Sequence, residues 1–271
     1  MAHDPTAHLL LPTAVDGFHD TGAMLHGFET AFWFPRYRAM AMGPWSIRAV
    51  TMSGSRGYWG KQYSIQGTIM LAGPDGGGAS TWMSTNPWEI ESQEIGVRAA
   101  RGHATVLGLG LGWQAANVAL NPAVAKVTVV EHDPDIIALI GAQGVFEQLP
   151  APARDKVEVV QADANTWRPQ APVDTLLADI WARTTGEDRL RDYRRMQDNI
   201  GAGASYFWGQ EVLIWRRAVE RLGPEPQLDW PLVRSIIDED FALPLIVPDW
   251  PDYPQKIATV GRWWTQTKDI V

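Results

Sequence analysis

Four stretches of the 271-residue chain place an acid or a run of glycines where an apolar segment gives way to a turn. The first is Val106-Leu107-Gly108-Leu109-Gly110-Leu111-Gly112-Trp113. Glycines there let the backbone turn tightly and let a ligand approach without meeting a Cβ. The helix expected to follow offers free N–H groups to a carboxylate or phosphate. Glu131 stands about 20 residues past this loop, the distance at which a carboxylate can accept both hydroxyls of a ribose. Asp163, in Gln161-Ala162-Asp163-Ala164, closes a third run; an acid there can accept the exocyclic amine of adenine, while Ala164 leaves room for the ring. Asp179, in Leu176-Leu177-Ala178-Asp179-Ile180-Trp181, closes a fourth. It would face the reacting end of the ligand, holding an amino group or orienting an acceptor, and is the one residue expected in a catalytic role.

Each feature also has a plainer reading. Glycine-rich turns occur in many α/β proteins that bind nothing there. Glu131 would then be a solvated strand end, Asp163 an N-cap and Asp179 an exposed loop acid. Asp133, just before Pro134, fits a helix cap better than a ligand.

The elements that must position these residues alternate. Asn86-Pro87-Trp88-Glu89 opens a helix, with Asn as N-cap, Pro at the first position and Glu three residues after the cap. Strands are expected at Ala104–Leu107, Lys126–Val130, Val157–Val160, Val173–Ala178 and Ser205–Trp208, with helices between them, among them Gly186–Ile200 and Val212–Leu222. This spacing predicts an α/β fold: a Rossmann-like, mostly parallel sheet with helices on both faces. A small β-rich N-terminal region, residues 1–85, precedes the Rossmann-like domain of residues 86–223. It includes the runs Trp45–Met52 and Gln62–Leu71 and a turn at Gly76-Gly77-Gly78. A proline-rich extension, 224–271, follows, in which Leu243–Val247 and Lys256–Val260 read as an antiparallel edge of the sheet.

Composition narrows the function classes. A net charge of −8 argues against a nucleic-acid partner, which needs a dense cationic face. No apolar run has the length of a membrane span. The N-terminus lacks the basic leader and apolar stretch of a signal peptide, so a cytoplasmic protein is expected. The absence of cysteine removes thiolate zinc sites and cysteine nucleophiles, and the scattered histidines give no metal site. The 14 tryptophans read mainly as core and interface mass. Arg183, Arg189, Arg191, Arg194 and Arg195 interleave with Glu187, Asp188 and Asp192, which reads as a solvated helix face. Alternatively Arg183 attracts an anionic acceptor.

The series of four strand ends resembles the class I S-adenosylmethionine-dependent methyltransferase superfamily, and within it the spermidine synthase-like branch. Val106 to Gly112 stands where that branch has a glycine-rich motif. Val130-Glu131-His132-Asp133-Pro134 is similar to its Val-Glu-Ile-Asp-Pro, and Gln161-Ala162-Asp163-Ala164 to its Gly-Asp-Ala. The likeness covers roughly residues 55 to 223. It implies S-adenosylmethionine as cofactor, with Gly108, Gly110, Gly112, Glu131, Asp163 and Ala164 binding it, and methyl transfer to a small-molecule acceptor. A homodimer is compatible with it. The chain departs from the branch after Asp179: the second acid of the polyamine-binding Asp-x-x-Asp pair is replaced by Ala182, next to Arg183, so spermidine synthesis is not expected. An NAD-dependent oxidoreductase is the alternative, since Gly110-x-Gly112-x-x-Ala115 also satisfies the relaxed dinucleotide fingerprint. A non-catalytic cofactor-binding module is a third.

Overall fold

The computed structural model describes residues 16–74, 80–181 and 188–266. The chain begins with β1 (His19–Asp20), α1 (Thr21–Met24), β2 (Arg36–Tyr37), β3 (Met40–Met42), β4 (Trp45–Thr51), β5 (Ser55–Arg56), β6 (Gln62–Tyr63), β7 (Gly67–Gly73) and β8 (Ser80–Ser84). Four of these strands form an antiparallel sheet in the order β3-β4-β7-β8. The expected run Gln62–Leu71 is broken: β6 pairs only with β5, and β7 begins at Gly67. The Gly76–Gly78 turn and residues 182–187, which include Ala182, Arg183 and the expected start of a helix at Gly186, lie outside the described residues.

Next come α2 (Pro87–Ala99), β9 (Gly102–Leu107), α3 (Trp113–Leu120), β10 (Val124–Glu131), α4 (Pro134–Gln143), α5 (Ala151–Arg154), β11 (Val157–Gln161), β12 (Thr175–Ala178), α6 (Arg189–Ile200), β13 (Ala204–Phe207) and α7 (Gln210–Leu222). The five strands form a wholly parallel sheet in the order β11-β10-β9-β12-β13. This is the Rossmann-like α/β arrangement, and its strands are β-branched and apolar because both faces are covered. Val106, Val127, Val129 and Leu177 are fully buried. The first half of the sheet grows outward from β9 and the second from β12, so strand order reverses between them. A ligand crevice belongs at that point, beyond the carboxyl ends.

The C-terminal segment departs from expectation. Leu243–Val247 does not form an antiparallel edge; it makes one parallel bridge, Ser205 with Leu245, in which the Ile246 N–H donates to the Ser205 carbonyl at 2.7 Å. Lys256–Val260 lies within a helix, α9 (Tyr253–Gln266), which follows α8 (Trp230–Ser235). Tyr253, Ile257 and Val260 recur at helical spacing and are fully buried. Gly261 lets α9 close on α7: a Cβ there would lie 2.0 Å from the Trp215 ring. Among the described residues no helix is long and apolar enough to cross a membrane.

Candidate functional site

The strand register sets all four sequence signals side by side. Leu107 pairs with Val130 on one side and with Ala178 on the other, and Glu131 pairs with Gln161. Backbone bonds continue the row past the strand ends. Gly108 donates to Val130 O at 2.9 Å, Asp179 to Leu107 O at 3.0 Å, and Ala162 to Glu131 O at 2.9 Å. Gly108, Gly110, Glu131, Asp163, Ala164 and Asp179 thereby line one cleft of about 430 Å³, within the range of small-molecule sites. Val130, Ile136 and Ile180 supply apolar wall. Trp45 and Trp82 close it from the N-terminal sheet, their rings edge to face at 5.5 Å.

The N-terminal region is pinned to this cleft by specific bonds from β2 and from the four-stranded sheet. The Tyr37 hydroxyl donates to Leu111 O at 2.7 Å, and the Leu111 N–H meets the Met83 thioether at 3.1 Å. Trp45 Nε1 donates to Asp133 Oδ2 at 2.8 Å. Asp133 also caps α4 through Asp135 N–H, the role its sequence position implies.

Glu131 is fixed before any ligand arrives. Its Oε2 accepts from Leu109 N–H at 2.9 Å and its Oε1 from Asp133 N–H at 2.8 Å. Each carboxylate oxygen has a second acceptor position, so the group is oriented and still able to take ribose hydroxyls. Asp163 is exposed, and its Oδ1 accepts from the Asn165 backbone and side chain at 2.9 and 3.0 Å. These bonds hold its pKa below the usual carboxylate range. It closes a tight turn, and Oδ2 faces no bonded partner among the described residues. No helix follows Asp163, so it caps a turn rather than a helix, and the turn leaves Oδ2 facing the cleft mouth, open to a ligand.

The three glycines divide differently from expectation. Gly108, Gly110 and Gly112 all have positive φ, at 94°, 48° and 75°. A Cβ on Gly108 would meet Asp179 O at 2.4 Å, and one on Gly110 the Met83 sulfur at 2.3 Å. The protein's own packing thus requires these glycines, as well as any ligand. Gly112 caps α3 and faces Val145 and Ile140 rather than the cleft.

Beyond Gly108 and Gly110 the cleft ends in a chamber of about 20 Å³. Glu89, Gln93, Gln114, Asp179, Trp181 and Trp208 are among the residues that line it. Asp179 Oδ2 accepts from Gln93 Nε2 at 2.6 Å. Enclosure raises the Asp179 carboxyl to about 7, with Arg189 acting in the opposite direction. Burial, and then the Asp179 charge, raise Glu89 to about 8. Sequence reasoning missed Glu89 as a site residue because it reads as the third position of a capping box. The Asn86 side chain does cap α2 at the Glu89 N–H, 2.9 Å, but the Glu89 carboxyl turns to the Ser84 backbone and the chamber.

Arg189 was missed for a different reason. Its charged neighbours suggest a solvated face, yet it is 2% exposed. Its Nη1 donates to Trp208 O at 2.8 Å, and its guanidinium carbon lies 4.8 Å from the Trp181 ring and 5.4 Å from that of Trp208. Arg191 and Arg195 do lie on the solvated face, paired with Asp188 and Asp192, while Arg194 donates to the Asp240 and Phe241 carbonyls. Among the described residues no group of three or more His, Cys, Asp or Glu is placed to hold a metal.

Solved structures similar to this chain include the glycopeptide N-methyltransferase MtfA complexed with S-adenosyl-L-homocysteine. It is 20% identical over 41% of this chain and 43% of its own, with a TM-score of 0.33. The DhpI–SAH complex is 21% identical over 40% of this chain and 50% of its own, TM-score 0.31. The methyltransferase domain of bacterial CtHen1 is 16% identical over 40% and 59%, TM-score 0.31. The chain therefore spans about half the length of each. No protein-family model and no curated protein matches the chain.

Proposed function

We propose that this chain is an S-adenosylmethionine-dependent methyltransferase acting on a small molecule. The observation that carries the reading is Glu131: a carboxylate held by two backbone N–H groups at the mouth of a 430 Å³ cleft, beside the glycine turn and the Asp163-Ala164 corner. Glu131 would hold the ribose, and Asp163 with Ala164 the adenine. Gly108 and Gly110 would line the path of the amino-acid tail toward the chamber. When bound, the cofactor supplies a methyl group on a positively charged sulfur; the protein supplies position and a proton acceptor.

The chamber speaks against the dinucleotide alternative. A pyrophosphate would lie on the glycine turn at the start of α3, and there it would bring only negative charge against the Asp179 carboxyl, whereas the amino-acid tail of S-adenosylmethionine carries an ammonium for it. The spermidine synthase-like branch stays a proposal, weakened at the position of Ala182. Calorimetry against S-adenosylmethionine, S-adenosylhomocysteine, decarboxylated S-adenosylmethionine and NAD tests the assignment. The expected result is binding of the first two and no heat with NAD; the reverse would restore the oxidoreductase reading.

A further inference from the structure

We propose that Trp82 meets the positively charged sulfur of the cofactor, and so favours S-adenosylmethionine over its demethylated product. The inference rests on reading the cleft as the cofactor site.

Position comes first. The cleft and the small chamber behind it share four lining residues: Trp82, Gly108, Gly110 and Asp179. A ligand with its adenosine at Glu131 and Asp163, and its amino-acid tail directed at the chamber, has its sulfur at this junction. The two glycines present backbone only, so the side chains at the junction are one aromatic ring and one carboxylate.

The backbone supplies an independent observation. Leu71 pairs with Met83 and Ala72 with Thr81, which leaves Trp82 as the extra residue of a β-bulge between β7 and β8. Neighbouring side chains of a regular strand point to opposite faces, yet Trp82 and Met83 both line the chamber. A bulge re-aims a side chain in this way. Met83 is held on the glycine turn, its sulfur meeting the Leu111 N–H at 3.1 Å. Trp82 packs edge to face on Trp45 at 5.5 Å. Trp45 is fixed in turn by its bond to Asp133 and by Gly73, where a Cβ would lie 2.2 Å from the ring. The half-buried indole of Trp82 is thus braced before a ligand arrives, and little ordering remains for binding to impose.

The chemistry follows from the one charge that changes. The face of an indole attracts a cation, more strongly where water is excluded. In S-adenosylmethionine the sulfur is such a cation. In S-adenosylhomocysteine it is a neutral thioether, because the electron pair of the broken sulfur–methyl bond stays on sulfur as the methyl group passes to the acceptor. Trp82 therefore attracts the ligand that must be held and not the one that must leave. Asp179 also draws a positive sulfur, but it serves the ammonium of the tail, which both ligands carry.

Calorimetry of the full chain with S-adenosylmethionine and with S-adenosylhomocysteine tests this. Trp82→Leu should weaken S-adenosylmethionine about three- to thirtyfold more than S-adenosylhomocysteine. Trp82→Phe keeps a ring with a weaker face and should lose less. Equal losses for the two ligands in a folded Trp82→Leu protein would show that the indole only covers the cleft, and would overturn the proposal. If Trp82→Leu does not fold, a ring-fluorinated tryptophan placed at position 82 keeps the shape and draws charge away from the face. It should shift the ratio of the two affinities toward S-adenosylhomocysteine; an unmoved ratio overturns the proposal. Wild-type protein that takes up neither ligand defeats the cofactor reading and this proposal with it, whereas binding of both with an unmoved ratio in the variants defeats only the assignment of Trp82.

Discussion

At the scale of single residues, the site works by holding acceptors rigid rather than by crowding many ligands together. Glu131 is the clearest case. Glu131→Ala removes the proposed ribose anchor and also frees the Leu109 and Asp133 N–H groups from which it now accepts. Hydrogen bonds to a charged group contribute about 1.5–3 kcal/mol, so affinity for S-adenosylhomocysteine should fall roughly ten- to a hundredfold by calorimetry. Unchanged affinity in a folded variant would remove Glu131 from the site. The glycines separate by what their Cβ would meet. Gly110→Ala should cost about 1–2 kcal/mol for its left-handed backbone, because the Met83 thioether can move aside. Gly108→Ala should cost more, since a backbone carbonyl 2.4 Å away cannot. Denaturant unfolding of the two variants checks the order; equal losses would contradict it. Residue chemistry was legible in the sequence where a residue had one plausible role. Asp133 caps its helix as expected, and Glu131 lies at the strand end. Glu89 and Arg189 were illegible because local pattern gave each a different part, a capping box for one and a charged helix face for the other. Only tertiary packing brings them to Asp179.

At the scale of elements, the parallel strands were readable to within one or two residues, since burial on both faces demands β-branched runs that few helices show. The C-terminal helix α9 was not. Lys256–Val260 carries Ile, Thr and Val, which suit a strand, and its true signal lies in Pro254 at the helix start and the spacing of Tyr253, Ile257 and Val260. Helix α2 and strand β12 jointly present Glu89 and Asp179, and this has a cost that depends on pH. Both carboxyls titrate above their unfolded values, at about 8 and about 7. In the interval between the unfolded and folded values the native state binds more protons than the unfolded chain. Stability should therefore fall as pH rises from about 4 to about 8 and change little above it. Glu89→Gln should flatten that decline, most visibly between about pH 5 and 8. Thermal melts of both proteins across this range are the measurement, and an equally steep decline in the variant would refute the assignment.

At the scale of the whole molecule, the N-terminal sheet and the C-terminal segment are parts of one packed body around the Rossmann-like sheet. Tyr37, Ile69, Leu111, Tyr206, Ile236 and Tyr253 belong to a single buried cluster. A buried carboxyl ties three segments together: Glu211, on α7 and fully enclosed, accepts from the hydroxyls of Tyr58 at 2.9 Å and Tyr253 at 2.8 Å. Removing residues 224–271 would strip the Tyr253 bond and uncover Trp215 and the apolar face of α7. The truncated chain should lose cooperative unfolding; a sharp transition at the original temperature would show that the segment is dispensable. The cleft depends on the same unity, because Trp45 and Trp82 come from one sheet while Glu131 and Asp163 come from the other.

A crystal structure of the protein soaked or grown with S-adenosylhomocysteine tests the central claim most directly. Ribose hydroxyls are expected on the Glu131 carboxylate, adenine against Asp163 and Ala164, and the sulfur end of the ligand at the mouth of the chamber formed by Glu89, Gln93 and Asp179. Density for the ligand elsewhere, or an adenosine lying away from Glu131 in a cleft otherwise unchanged, would contradict the assignment.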